Sequence, residues 1–361
     1  MRSGALAVTN DGRLVLARGY SWDSAPDMEA QPTSLFRIAS ISKPLTAAAV
    51  MQLVDRGLLS LSAPVTSIVD LGRQRDSRVH DITILQLLQH LGGWDRDRSF
   101  DPMFYDSTIR GALGISLPVR LTDIVTYMAG RQLDSAPGAG HYYSNYGYAL
   151  LGRVIERITN SGYEAWLKHA ILSPLGITRM RLGRSLIEDR APGEVRYEST
   201  FTGGTVLNGS GARVPAPYGS FHFENMDAHG QWLASAVDLV RFASTFDRPN
   251  ESPVLSAASI ERSWAEPSVG TQNGFHCGCG WLVRPLGGGR RNTWHGGSLP
   301  GTWTLLVRRF DGLNWAVLFN QRDDPSDTRS TTYGAIDADL HAAAAAVTRW
   351  PTHDLFGEYL A

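Results

Sequence analysis

An α+β fold is expected, with one antiparallel sheet built from both ends of the chain, flanked by helices, and a mainly helical segment inserted between them. Two observations predict it. Short apolar runs bounded by turn residues precede Ser40 and return after Gly280. The stretch between them carries helical spacing broken by Gly/Pro loops. On this reading the sheet-forming part spans about 1–61 and 251–361, the helical insertion about 62–250, and there is no internal repeat.

Taken in order, Ala5–Thr9 and Arg13–Ala17 flank Asn10-Asp11-Gly12 and read as a β-hairpin, because Asp-Gly supplies the positive φ of a tight turn. Pro26–Pro32 is loop, and Leu35–Ile38 is a short strand leading into Ser40. Leu45–Leu59 is rich in strong helix formers; Pro44 is tolerated in the first turn, and Gly57 marks the stop. Thr83 caps a helix Ile84–His90 that ends at Gly92-Gly93. Thr122-Asp123 starts another that ends near Gly130. Ser144-Asn145 opens a long helix through Ile158, with Leu150, Leu151, Val154 and Ile155 in its apolar stripe. Tyr163–Leu172 follows and is closed by Pro174 and Gly176. The polar, aromatic, glycine-rich segment 184–232 reads as long loops that form a lid or pocket wall. Ser235 and Asp238 form a capping box ahead of Leu239–Phe246. Strands return at Trp281–Arg284, Arg291–Trp294, Trp303–Arg309 and Asn314–Asn320, and a helix from Thr332 to Val347 follows.

The 361 residues are 43% hydrophobic and 19% charged, which excludes a disordered chain. A net charge of -1 gives no electrostatic case for nucleic acid or an anionic membrane as partner. No uncharged window reaches transmembrane length, and the N-terminus has no apolar signal region, so the expected location is cytoplasmic. Cys277 and Cys279 are the only cysteines. On a strand both point to one face, a poor disulfide geometry, and no second ligand pair stands at zinc spacing. Free thiols, no metal and no cofactor are therefore expected.

Three short patterns carry chemistry. Ser40 and Lys43 lie three apart at a helix start, which puts both on one face and joins a nucleophile to a base. The pattern alone recurs by chance. However, a lysine in a first helical turn opposes the helix dipole, so a merely structural role suits it badly. Tyr143-Ser144-Asn145 precedes a helix; Tyr143 either packs or shuttles a proton, the latter if nearby cations lower its pKa. His295-Gly296-Gly297-Ser298 follows a β-run, where it is either an ordinary glycine turn or an edge that a substrate approaches closely.

In this combination, FRIASISKPLTAAAVMQLVDRGLLSL, ITILQLLQHLGGW, PGAGHYYSNYGYALLGRVIERI, LSPLGITRM and WHGGSLPGT resemble the serine β-lactamase and penicillin-binding protein superfamily. The likeness is greatest to class C β-lactamases and the related esterases and D-peptidases, and implies the β-lactamase/transpeptidase-like fold over nearly the whole chain. The resemblance makes Ser40 the nucleophile of an acyl-enzyme and Lys43 its hydrogen-bonded, positively charged activator. It makes Tyr143 the base, with Lys43 the alternative. Asn145 would hold Lys43 and bind substrate together with His295, Gly296 and Gly297, and the N–H groups of Ser40 and Ser298 would form the oxyanion hole.

Two departures shape the expectation. His295 stands where the lactamases and carboxypeptidases of the family usually carry a lysine for a substrate carboxylate. This favours esters, with a D-peptidase or amidase, a β-lactamase and an acyltransferase as alternatives, and a silent binding or scaffold protein as the non-enzyme reading. Arg291 or Arg322 is a candidate replacement cation. The second departure is that the chain opens directly on the hairpin, without the N-terminal helix common in the family. The partner expected is a small-molecule ester or amide.

Overall fold

Alternation along the terminal strands decides which side of the sheet each residue faces. The computed structural model describes residues 3–22, 29–322 and 332–359, so part of the loop expected over Pro26–Pro32 lies outside the described residues. In chain order, β1 (Ser3–Asn10) and β2 (Arg13–Ser21) form the expected hairpin. β3 (Phe36–Arg37) leads through a 3₁₀ turn into α1 (Ser42–Asp55). Next come α2 (Ile84–Leu88), α3 (Asp106–Leu113), α4 (Leu121–Ala129), α5 (Asn145–Thr159) and α6 (Tyr163–Leu167). Short strands β4 (Arg181–Leu182), β5 (Thr202–Gly204), β6 (Arg213–Pro215) and β7 (Trp232–Ala234) punctuate the loop region before α7 (Ala236–Ser244) and α8 (Ala257–Ser263). Strands β8 (His276–Cys277), β9 (Leu282–Gly287), β10 (Arg290–Leu299), β11 (Thr302–Arg308) and β12 (Leu313–Phe319) precede α9 (Thr332–Ala346).

Seven strands form one antiparallel sheet in the order β2-β1-β12-β11-β10-β9-β8, so the two ends of the chain meet at the β1–β12 pair. Ala5, Ala7, Leu306, Ala316 and Leu318 face the main core, where small side chains let α7 lie close against β1 and β12. Val8, Leu305, Val307, Trp315 and Val317 face the other way, with Ile336 and Leu340 of α9 packed against them. Helix α1 is buried from Ser42 to Leu53, which explains why its sequence is apolar nearly all round.

The capping signals hold. Thr83 and Ser235 each form a capping box, with Gln86 and Asp238, and Ser144 caps α5 by accepting the Gly147 N–H at 3.1 Å. Two expectations shift. Ser40 lies in the 3₁₀ turn Ala39–Ile41, one step before α1 rather than inside it. The His295-Gly296-Gly297-Ser298 motif lies within β10 rather than after a strand, because β10 pairs with β11 continuously from Thr293 to Leu299.

The loops of 184–223 are tied to β3 by Arg37, which is fully buried. Its guanidinium lies 4.6 Å from the ring centres of Tyr197 and Phe223 and donates to the carbonyls of Pro217 (2.6 Å) and Arg184 (2.7 Å). Glu194 Oε1 stands 3.6 Å away; burial pushes this carboxyl up, and Arg37 opposes the rise. Removing one member of such a pair leaves the other charge buried and uncompensated. We expect Arg37→Met to cost about 3–5 kcal/mol in urea denaturation. The cost should fall by more than half in a Glu194→Gln background, and equal costs in the two backgrounds would show that the pair is not what Arg37 supports.

Candidate active site

Three hydrogen bonds fix the chain just ahead of Ser40. Thr302 Oγ1 donates to the Arg37 carbonyl and Thr304 Oγ1 to the Ile38 carbonyl, both at 3.0 Å, and the Ile38 N–H donates to Trp232 O at 3.0 Å. Ala39 then turns through the left-handed region (φ +47°), a conformation that a residue with a β-carbon adopts only when its surroundings enforce it. Ser40 emerges half-buried at the mouth of a cleft of about 830 Å³.

The expected residues converge there. Lys43 is fully buried, and its Nζ lies 3.0 Å from Ser40 Oγ, 2.8 Å from Asn145 Oδ1 and 3.0 Å from the His229 carbonyl. Burial holds its pKa well below the ordinary lysine value; the Asp101 charge opposes this and the Arg96 charge adds to it. The Lys43 Nζ also lies 4.7 Å from the centre of the Tyr143 ring. Ser40, Tyr143, His295, Gly296, Gly297 and Ser298 all line the cleft.

For Tyr143 the question is whether nearby cations lower its pKa, and Arg96 does lie 4.5 Å from the ring centre. Desolvation nevertheless dominates and pushes the phenol up, against the opposing effects of a hydrogen bond with Ser40 and the Arg96 charge.

His295 is buried, and its Nδ1–H donates to the Gly296 carbonyl at 2.7 Å. Burial, then the Lys43 charge, lowers its pKa to about 3, so the ring is neutral at pH 7. Beyond Trp294, the β9-side edge of β10 has no strand partner among the described residues, so the backbone of His295–Leu299 borders the cleft. Gly297 is where β10 meets the Ser40 turn: a β-carbon there would stand 2.2 Å from the Ile38 carbonyl and 2.2 Å from Thr304 Oγ1. Gly296 is under no such constraint; its nearest contact would be 3.7 Å.

Several neighbours carry no motif. Asp101 Oδ2 accepts the Asn145 Nδ2–H at 2.6 Å and lines the cleft, and Arg96 lies across Tyr143. His229 contributes through its backbone carbonyl, which any residue type supplies. Of the candidate cations, Arg291 is engaged with Glu261 at 2.8 Å and does not line the cleft, whereas Arg322 does. Cys277 and Cys279 are free and buried, with thiols pushed up to about 12 by desolvation. Among the described residues no cluster of three metal-ligating side chains exists, and no helix is long and apolar enough to cross a membrane.

The two motif glycines yield a test. Gly297→Ala should slow labelling of Ser40 by a fluorophosphonate by about 10² or more, because the Ser40 turn must shift to admit the methyl group. Gly296→Ala should stay within about fivefold of the parent. Equal labelling by the two variants would remove the packing argument.

The chain matches the Beta-lactamase family over residues 1–340. It is 27% identical over 228 residues to the fimbrial assembly protein FimD (serogroup D) of Dichelobacter nodosus, an alignment that covers 61% of this chain and 50% of that protein. The chain spans half or less of the length of the curated relatives it matches. Its fold superposes on the octameric penicillin-binding protein homologue from Pyrococcus abyssi with a TM-score of 0.68, at 25% identity, covering 93% of this chain and 73% of that one. The D-amino acid amidase of Ochrobactrum anthropi SV3 complexed with D-phenylalanine superposes with a TM-score of 0.71, at 21% identity, covering 96% and 95%. With the family matched along nearly all of its length, the chain belongs to the beta-lactamase family.

Proposed function

We propose that this chain is a serine hydrolase acting through an acyl-Ser40 intermediate on carboxylic esters. The observation that carries the reading is the enclosure of Lys43 Nζ by three oxygens. A neutral amine has two N–H groups and one lone pair. The N–H groups suit Asn145 Oδ1 and the His229 carbonyl, which only accept. In that neutral form the lone pair faces Ser40 Oγ, 3.0 Å away, and can accept its O–H. Lys43 is then the base: Ser40 Oγ attacks the substrate carbonyl as its proton passes to Nζ. The carbonyl oxygen takes the negative charge, facing the N–H groups of Ser40 and Ser298.

Tyr143, whose phenol keeps its proton, serves as the acid side of the relay. It gives that proton to the leaving group as the acyl bond breaks, and the Lys43 ammonium restores it. Water then attacks acyl-Ser40 with the same groups in reverse, releasing the acid and returning Ser40 to its hydroxyl form.

A neutral His295 gives a substrate carboxylate no fixed charge at that position, which favours uncharged acyl compounds. Phe104, Leu282, Trp294 and Trp303 add apolar walls. A second reading has a specific support: the Asp101 carboxylate on the cleft wall suits a protonated amine, as in an amino acid amide, and D-amino acid amidases share the fold. The deciding panel is p-nitrophenyl butyrate, D- and L-phenylalanine amide, and nitrocefin. The ester should have the highest kcat/KM; a faster D-amide selects the second reading, and faster nitrocefin sinks both. Ser40→Ala should lower turnover of every substrate by about 10⁴ or more while leaving the thermal midpoint unchanged. An active, folded Ser40→Ala protein ends the proposal.

The pH dependence has a definite sign. A base works unprotonated, so kcat/KM should fall as pH drops through the Lys43 pKa, which lies well below the ordinary lysine value. Lys43→Arg, protonated throughout, should be inactive at every pH tested. Turnover by a folded Lys43→Arg protein close to that of the parent would show that Lys43 is not the base.

A further inference from the structure

One residue outside the proposed reaction grips Tyr143 in three ways. The N–H of Tyr142 donates to the His90 carbonyl at 2.9 Å. The N–H of Ser144 donates to His90 Nδ1 at 3.1 Å. The His90 ring lies along the Tyr143 ring, with centroids 4.3 Å apart and an interplanar angle of 27°. Both chain neighbours of Tyr143 are therefore tethered to the residue that also supports its ring.

The grip requires an unusual backbone. His90 has φ +59°, in the left-handed region, immediately after α2, and is 4% exposed. That conformation aims its carbonyl and its ring at the same segment. Because Ser144 donates to Nδ1, the ring proton sits on Nε2 and the imidazole is neutral. Burial, the nearby Lys43, His141, His295 and Arg96 all favour that neutral form. The Tyr148 ring, 5.0 Å away, supports the imidazole from the α5 side.

We propose that His90 is a positioning residue that holds the Tyr143 phenol at the Ser40–Lys43 pair. The inference rests on the role proposed above for Tyr143. His90 touches no reacting atom; it acts through Tyr143. A partly exposed tyrosine on a cleft wall has freedom about both side-chain torsions, and misplacing a reacting group by about 1 Å costs on the order of 10²-fold in rate.

Two substitutions separate this role from ordinary core packing. His90→Gly keeps the left-handed backbone and the carbonyl acceptor but removes the ring and Nδ1. His90→Asn tolerates the same backbone and returns a side-chain acceptor near the Nδ1 position. Each is made in the parent and in Tyr143→Phe, and kcat, KM and the thermal midpoint are measured with the fastest substrate of the panel. In the parent, His90→Gly should lower kcat by about 30- to 100-fold with KM within about threefold, and His90→Asn should recover at least about tenfold of that loss. In Tyr143→Phe, His90→Gly should cost less than about threefold, since the group it positions is already gone.

An equal loss in both backgrounds overturns the proposal, as does His90→Asn no better than His90→Gly. Should His90→Gly not fold, His90→Asn decides alone: loss of the ring should lower kcat about three- to tenfold in the parent and not at all in Tyr143→Phe. Parental kcat in Tyr143→Phe itself would remove the role of Tyr143, and the positioning role with it. A clamp that fails while Tyr143→Phe remains impaired removes only the assignment of His90.

Discussion

Everything around the cleft depends on an amine with no access to water. Lys43 Nζ joins the turn that carries Ser40, the first residue of α5, and the loop that leads into β7. Burying an ionised ammonium is among the largest penalties a fold can incur, and the ordinary escape is loss of the proton. Three oxygens are sufficient to satisfy either form, yet only the neutral amine leaves a lone pair directed at a hydroxyl. The same desolvation that would make a charged lysine costly favours the unprotonated amine, the form that the proposed reaction uses to take up a proton. Stability and reactivity at this point are one electrostatic fact.

The amine is useful only if Ser40 is held still beside it, and that task falls to the sheet. Thr302 and Thr304 of β11 reach the carbonyls of Arg37 and Ile38, and β10 comes so close at Gly297 that no side chain fits. Segments more than 250 positions apart in sequence thus share one short turn. Arg37 adds a second anchor from the opposite side, drawing the loops of 184–223 onto β3 through its carbonyl acceptors and aromatic neighbours. Left-handed Ala39 is sustained between these constraints.

Much of this was legible in the sequence because it is written in short spacings. Ser40 and Lys43 declare themselves through helical separation, Ser144 through its cap position, and the terminal strands through Asp-Gly turns and alternation. What was not legible depends on distance in sequence or on environment. Asp101 and Arg96 lie in a loop without periodicity, and the contribution of His229 is a main-chain oxygen. The rise in the Tyr143 pKa was not legible because desolvation, its largest cause, is not written in a sequence. Two glycines in a row suggested a turn; in the fold one of them is instead the price of strand and turn in contact.

The pairing of β1 with β12 has a consequence for how the protein comes into being. Gly4 pairs with Phe319, and the Ser3 N–H donates to the Asn320 side chain, across 317 positions. A ribosome adding 5–20 residues per second needs about 15–60 s to deliver the second strand after the first. Throughout that interval the β1–β2 hairpin displays one edge of unmet amides and carbonyls, the kind of edge that recruits a neighbouring chain. Because β10 and β11 join the sheet only through β12, the nascent polypeptide carries Ser40 and Lys43 long before any surface exists for them to work on. The cleft beside Ser40 is complete only once the last strand is in place.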